Sequence, residues 1–487
     1  MAFTSLSFAG FVAVAFFAYW LVFGRSSRSQ NLLLIAASCL FYASWDWRFL
    51  ALIACNVATD YVVGRRLGIT TDARSRRRLL AVSLAVNLGL LGLFKYFHFF
   101  VSGLAAALGG TGLRLHPPFT LLLPVAISFY TLQTMSYSID VYYRRIEPTR
   151  DLAAFAAYIL FFPKLLAGPI ERAGRCLPQF LERRRFDPAS AREGMRQVLW
   201  GLAKKVIVAD ACGRSVDAVF AGSTARPAGT LLLGALLYAF EIYADFSGYS
   251  DIAIGTARLF GVGLTRNFAY PYFARSVAEF WRRWHISLST WLRDYVFLPL
   301  SFALSRRLDR ERYLGLRTDR AISLVATLVT FLLCGVWHGA NWTFVVWGLL
   351  FGLYLIPQAV RLRGFGSARV TAGTPAARDL GRIALTFLLV TVAWVFFRAP
   401  TLHDAFAYLR AAASPPLLLA APPAGLAALP PVAVLVAVEW LQRERDYGLD
   451  LRGRALARST RWALYLALCA GILLASGGPR PFVYFRF

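Results

Sequence analysis

The sequence predicts an all-α integral membrane protein, a polytopic helical bundle, and three observations carry that expectation. Hydrophobic residues fill 58% of the 487 positions and charged residues 16%, whereas a soluble domain has about 45–50% and about 25%. Mean hydropathy is +0.53. Apolar runs long enough, or nearly long enough, to cross a bilayer recur from one end of the chain to the other. Finally, positive charge is confined to short gaps between those runs, as expected of cytoplasmic loops. The formal charge of +27, from 53 Lys and Arg against 26 Asp and Glu, therefore reads as membrane anchoring, and nucleic-acid binding is not expected.

In order, the runs cover residues 6–23, 31–43, 49–63, 79–100, 121–143, 198–212, 231–254, 321–336, 342–356, 383–397, 430–441 and 462–474, with an extra one within 405–421. That makes roughly eleven to thirteen spans in a single polytopic domain over residues 1–487. No internal repeat is visible, which disfavours a transporter built from two related halves. The first run, "MAFTSLSFAGFVAVAFFAYWLVFGR", has no basic residue before Arg25. A cleaved leader needs a basic start, so a retained span with its N-terminus on the extracytoplasmic side is expected. Cys39, Cys55, Cys176, Cys212, Cys334 and Cys469 form no CxxC pair and read as small core residues.

Arg25 and Arg28, the stretch from Arg65 to Arg78, and Arg144 with Arg145 should all face the cytoplasm. The next run, "LAAFAAYILFFPKLLAGPI", lies between two basic gaps that both belong inside, which one crossing cannot satisfy. Pro163, Gly168 and Pro169 break it, so a re-entrant hairpin resolves the conflict, tolerated where the backbone is buried in protein or lines a wet cavity. Lys164 then becomes a cavity residue; the alternative is a kinked span with a snorkelling Lys164.

Three stretches could carry chemistry. In "FWRRWHISLSTWLRDY", Ser276 and Glu279 have capping-box spacing. Trp281, Trp284, His285, Leu288, Trp291, Leu292 and Tyr295 then share one face of an amphipathic helix at the cytoplasmic interface, opposite Arg283, Ser287, Thr290 and Asp294. Its tryptophans could simply be interfacial anchors, whereas His285 among them suggests a required hydrogen bond. In "LLCGVWHGANW", His338 ends an apolar span beside Trp337, Gly339 and Asn341. A neutral histidine in a dry site suits general-base work, although a span-ending histidine bonded to a carbonyl fits the pattern too. In "EIYADFSGYSDIAIG", Glu241, Asp245 and Asp251 interrupt an apolar helix. They could relay protons in a transporter, orient a histidine or arginine in an enzyme, or accompany close packing at Ser247, Gly248 and Ser250. Of the other histidines, His98, His116 and His403 stand in no such context. No ligand spacing for a metal is present, and neither a metal nor a bound cofactor is expected.

Together with "FFPKLLAGPIER", "SCLFYASWDWRFL", "ISFYTLQTMSYSIDVYY" and "NFAYPYFARSVAEFWRRWHISLSTWLRDYVFLPL", these stretches resemble the membrane-bound O-acyltransferase (MBOAT) family, in the bacterial branch of alginate O-acetyltransferases and teichoic acid D-alanyl transferases. The match runs over about residues 38–399, with further C-terminal helices at about 405–476; "VFFRAP" and "PFVYFRF" are similar to the longer, alginate-type members. "SFALSRR" after Leu300 departs from the glycines often found there.

The resemblance implies a funnel-shaped bundle with re-entrant and cytoplasmic interfacial helices around a central tunnel. It implies that His338 is catalytic and His285 supports it. The implied reaction moves an acyl group, acetyl first, from a cytoplasmic thioester such as acetyl-CoA, a co-substrate, across a bacterial cytoplasmic membrane. The acceptor is a hydroxyl of an extracytoplasmic polysaccharide or of a partner acyltransferase. D-Alanyl transfer from a carrier protein is the alternative within the family. On this reading His285 or Asn341 meets the developing oxyanion, while Arg282, Arg283 and Arg293 grip donor phosphates. Lys164, Trp337, Asp245 and Asp251 complete the candidate substrate-binding set. A transporter using Asp245 and Asp251, or a scaffold for another acyltransferase, are the rivals from other classes.

Overall fold

Apolar runs free of internal proline become helices, and a computed structural model describes them over residues 1–97, 99–101, 103, 124–166, 168–221, 226–313, 315–361, 377–414, 423–478 and 480–483. The expected all-α architecture is present. Among the described residues, strand pairing is confined to Arg312–Tyr313 with Leu316–Arg317. Five helices among the described residues are long and apolar enough to cross a membrane: Ala73–Tyr96, Ala228–Leu259, Thr318–His338, Trp342–Val360 and Arg378–Arg398. Leu6–Val22 and Gly425–Leu441 are shorter apolar helices.

The remaining runs are helical in ways that composition alone blurs. Those at 31–43 and 49–63 lie in Ser27–Asp46 and Leu50–Ile69, each of 20 residues, which bury Gln30, Asn31, Asn56 and Asp60. The run at 121–143 is helical only over Ile127–Tyr142, and residues 104–123 lie outside the described part. The run at 198–212 is the end of Pro188–Leu202, a π-helix at Ala203–Ala209 and the start of Asp210–Phe220. The extra run holds the helix Leu402–Ala412, followed by residues outside the described part. Of the cysteines, Cys176, Cys212 and Cys334 are buried, whereas Cys55 and Cys469 are exposed on their helices and are not core residues.

The chain divides into two compact units, residues 1–198 with 252–265, and residues 199–251 with 266–487. In the first, Ser27–Asp46, Leu50–Ile69, Ala73–Leu91, Ile127–Tyr142 and Leu152–Leu160 pack on one another. Buried Asp60 joins three of these helices: Ser83 and Ser138 donate to its Oδ1 at 2.5 Å each, and Asn87 donates to Oδ2 at 2.7 Å. A buried carboxylate with three donors avoids most of the desolvation cost of an unsatisfied one.

The break expected near Pro163 is in this unit. The helix stops at Leu160, Phe161 turns to ψ 102°, one turn forms at Phe162–Leu165, and residues 169–172 run without helix before Ala173–Cys176. A side chain on Gly168 would strike the Lys164 backbone, so only glycine allows the chain to close up there. Lys164 does not snorkel. It is fully buried, with its ammonium bonded to Gln133 Oε1 and 4.7 Å from the Tyr158 ring centroid.

In the second unit, Thr318–His338 and Trp342–Tyr354 form a tight antiparallel hairpin. Gly335 and Gly348 face each other across it; a Cβ on Gly335 would meet the Phe344 carbonyl, and one on Gly348 the Phe331 carbonyl. Small residues at a crossing let helix backbones approach. Helix Ala377–Arg398 packs beside Trp342–Tyr354, and Arg458–Ala475 packs beside the π-helix.

Candidate active site

The stretch from Ser276 onward begins as its sequence suggests. The Ser276 hydroxyl accepts the Glu279 N–H at 3.2 Å and starts Val277–Arg283. The Glu279 carboxylate does not complete the box at Ser276; its Oε2 takes the Arg275 N–H at 2.9 Å and its Oε1 binds Arg283 Nη2 at 2.6 Å.

The single amphipathic helix expected over this stretch does not form. Trp284 turns extended (ψ 129°), His285 is left-handed (φ 42°, ψ 53°), and a second helix starts at Ile286–Leu292. A left-handed non-glycine residue costs about 1–3 kcal/mol, and such strain concentrates at functional sites. Asn267 holds the break open: its carbonyl accepts the Ile286 N–H at 2.9 Å, and its Oδ1 accepts the Ser287 hydroxyl at 2.9 Å and the Ser287 N–H at 3.2 Å. Helical periodicity cannot reveal a partner 18 residues upstream of His285.

The break also changes what the tryptophans do. Trp281, Trp284 and Trp291 are buried, so they are core residues of this unit and not surface anchors. Trp284 lies 5.0 Å from Phe268 and 5.0 Å from Trp394, and Trp281 lies 5.0 Å from Phe331. Burying each such ring stabilises the fold by about 1.5–3 kcal/mol.

His338 is the last residue of its helix, three residues beyond the Gly335 crossing, and is 5% exposed. Its imidazole sits among Trp337 at 4.8 Å, Trp347 at 4.9 Å and Phe397 at 5.3 Å, each steeply inclined to it. His285 is 0% exposed and lies 6.2 Å from the Trp337 ring, between Phe246 at 4.7 Å and Phe268 at 6.4 Å. The two histidines, 53 residues apart in sequence (338 − 285), thus flank the same indole. Burial holds the His285 imidazole well below its usual range, so both the position and the environment favour a neutral ring. A dry aromatic shell with two imidazoles can accept and pass protons while excluding water.

The other expected site residues divide sharply. Trp337 is the shared indole. Arg282 is half-buried, whereas Arg283 is buried in its ion pair with Glu279. Arg293 pairs with its neighbour Asp294 at 2.7 Å. The Asn341 amide is engaged in structure: its Oδ1 caps Trp342–Tyr354 by accepting the Thr343 N–H at 3.1 Å, and its Nδ2 donates to the Pro400 carbonyl at 2.8 Å. Lys164 belongs to the other compact unit.

Asp245 and Asp251 are paired with lysines. Lys205 reaches Asp245 at 2.7 Å and Asp210 at 2.9 Å, while Lys204 reaches Asp251 at 2.5 Å and Ser247 at 2.9 Å. The π-helix lets two consecutive lysines face the same neighbouring helix, and π segments are frequent at functional sites. Asp245 also accepts the Val483 N–H at 2.6 Å, and Phe482 lies 5.7 Å from Phe246. Phe246, the residue after Asp245, packs 4.7 Å from His285, so the Lys205–Asp245 pair holds the helix turn that presents Phe246 to the imidazole. Asn267, Lys204, Lys205 and Phe246 were not singled out by sequence; adjacent lysines inside an apolar run were the one available signal.

Comparison with known proteins bears on what such a site does. A family model described as MBOAT, membrane-bound O-acyltransferase family, matches residues 144–397. The chain is 40% identical to a protein named probable alginate O-acetylase AlgI from Pseudomonas aeruginosa, over 78% of this chain and 69% of that one. It is 31% identical to a peptidoglycan O-acetyltransferase from Helicobacter pylori, over 84% of this chain and 78% of the relative. A teichoic acid D-alanyltransferase from Bacillus subtilis is 27% identical over 48% of this chain and 58% of its own length.

Proposed function

The chain belongs to the membrane-bound O-acyltransferase family and is a multi-pass membrane enzyme of that class, and we propose from this premise that it acetylates the hydroxyls of a cell-envelope polysaccharide. The acyl donor is a cytoplasmic thioester, acetyl-CoA first, and the enzyme sits in the bacterial cytoplasmic membrane with its N-terminus outside. The acceptor is a sugar hydroxyl, or the hydroxyl of a partner acyltransferase that delivers the group to the polymer. The observation that carries the reading is the pair of buried histidines on one indole, at the end of a tightly crossed hairpin.

In this mechanism His338 removes the proton of the attacking hydroxyl as its oxygen bonds to the thioester carbonyl carbon. The tetrahedral intermediate then expels the thiolate, the C–S bond breaks, and the thiol leaves with the proton from His338. Base catalysis of this kind contributes about 10²–10⁴-fold. Exclusion of water by Trp337, Trp347 and Phe397 protects the thioester from hydrolysis. Arg282, half-buried next to the histidine segment, is the arginine of that segment suited to a donor phosphate.

The test is transfer of radiolabelled acetyl from acetyl-CoA in inverted membrane vesicles supplied with polymer and partners. His338→Ala should lower kcat by about 10²–10⁴-fold with little change in the donor KM. A folded His338→Ala protein with wild-type kcat overturns the assignment. Absence of label with the wild type, where a D-alanyl carrier protein does label the product, moves the donor to D-alanine.

A further inference from the structure

Asn267 stands outside the residues given a chemical role above, yet one of its atoms meets three groups at the break beside His285. Its Oδ1 lies 3.2 Å from the Ser287 backbone nitrogen, 2.9 Å from the Ser287 hydroxyl and 3.2 Å from His285 Nδ1. A backbone N–H can only donate. The atom facing the Ser287 nitrogen must therefore be the amide oxygen, because a flipped amide would set two donors against each other. With that oxygen fixed, the imidazole nitrogen sharing it must carry a proton. A neutral imidazole has one proton, so the lone pair is on Nε2.

We propose that Asn267 is a positioning residue for acyl transfer: it locks His285 as the Nδ1–H tautomer, so that Nε2 enters the reaction as a hydrogen-bond acceptor. The inference rests on the acyl-transfer reading of this site. It changes the part His285 plays. A neutral Nδ1–H imidazole has no proton on Nε2 to give to an oxyanion. His285 instead accepts a hydrogen bond from another protic group of the bound substrates, an amide N–H of the thioester donor or a second hydroxyl of the acceptor, and so positions it while His338 takes the single proton of the attacking hydroxyl. Asn267 also holds the left-handed turn, through Ile286 and Ser287, that aims the imidazole at Trp337.

Two measurements on the full-length protein test this. In vesicles with acetyl-CoA, Asn267→Leu should lose about 10–100-fold in kcat with the donor KM within about twofold. Asn267→Asp retains an oxygen at each contact and should recover most of that loss. Asn267→Leu combined with His285→Ala should be no slower than His285→Ala alone, because the amide acts through the imidazole. Wild-type kcat in Asn267→Leu, equal losses in the Leu and Asp variants, or losses that multiply in the double variant would each overturn the proposal.

The second measurement needs no variant at 267. Nitrogen NMR of the ¹⁵N-histidine-labelled wild type, with His285 assigned by its absence in His285→Ala, should place the proton on Nδ1, and a proton on Nε2 overturns the proposal. Full activity in both His285→Ala and His338→Ala would instead remove the underlying acyl-transfer site, which is a separable failure.

Discussion

Lys205→Met is a sharp perturbation of the site's support. The Lys205 ammonium is buried between Asp245 at 2.7 Å and Asp210 at 2.9 Å. At an effective dielectric of about 20, each contact has a gross attraction of about 6 kcal/mol. Several kcal/mol of desolvation per ion offset most of that, so the intact triad adds little net stability. Removing only the cation is different, because it leaves fully buried Asp245 beside mostly buried Asp210 without their shared counter-charge. The expected loss is about 3–5 kcal/mol.

The double variant Lys205→Met/Asp245→Asn should regain about 1–2 kcal/mol, since it removes the repulsion while the new amide oxygen at position 245 still accepts the Val483 N–H. Thermal unfolding of purified protein in lipid nanodiscs reads both values, and the difference between the two variants should be nearly independent of salt. Acetyl transfer should fall together with stability, because Asp245 carries Phe246 and Phe246 packs 4.7 Å from His285. A Lys205→Met protein within about 0.5 kcal/mol of wild type, or a double variant no better than the single one, would refute the argument.

Gly335→Ala should cost about 1–3 kcal/mol by overpacking against the Phe344 carbonyl. A shift of about 1 Å at His338, three residues on, should lower kcat by up to about 100-fold; unchanged melting and turnover would show that the hairpin does not position the histidine. The arginines should separate cleanly in the same vesicle assay. Arg282→Ala is expected to raise the donor KM about tenfold with the fold intact. Arg283→Ala strands buried Glu279 and should lose about 3–5 kcal/mol of stability. The reverse pattern would exchange their roles.

How much of this could be read from the chain follows from the range of each signal. Ser276 as a cap and the break near Pro163 depend on neighbours within a few residues, so both were legible. The family was legible because "FWRRWH" and "GVWHG" are specific local strings, the same strings whose histidines lie on either side of Trp337. The break at His285 was not, because Asn267 stabilises it from another segment, and periodicity kept the helix running through it. Which runs face lipid was harder to read for a related reason: hydropathy adds residues along the chain and cannot tell a helix facing lipid from one that buries Asp60 against Ser83 and Ser138. The alternative of Trp281 and Trp284 as surface anchors fell away likewise, since an indole suits an interface and a core equally well until its neighbours Phe331, Phe268 and Trp394 are in place.

The aromatic shell around the histidines also has an optical consequence. Among the thirteen tryptophans of the chain, Trp281, Trp284, Trp337, Trp347 and Trp394 are linked ring to ring or through a histidine. Trp347 lies 5.9 Å from Trp281 and 5.8 Å from Trp394, Trp394 lies 5.0 Å from Trp284, and His338 bridges Trp337 and Trp347. Excitation absorbed by one indole is shared over such distances, and a protonated imidazole quenches indole emission. If His338 is the base proposed above, the arrival of its proton should dim a whole cluster at once, and turnover should be visible in the protein's own fluorescence without any label.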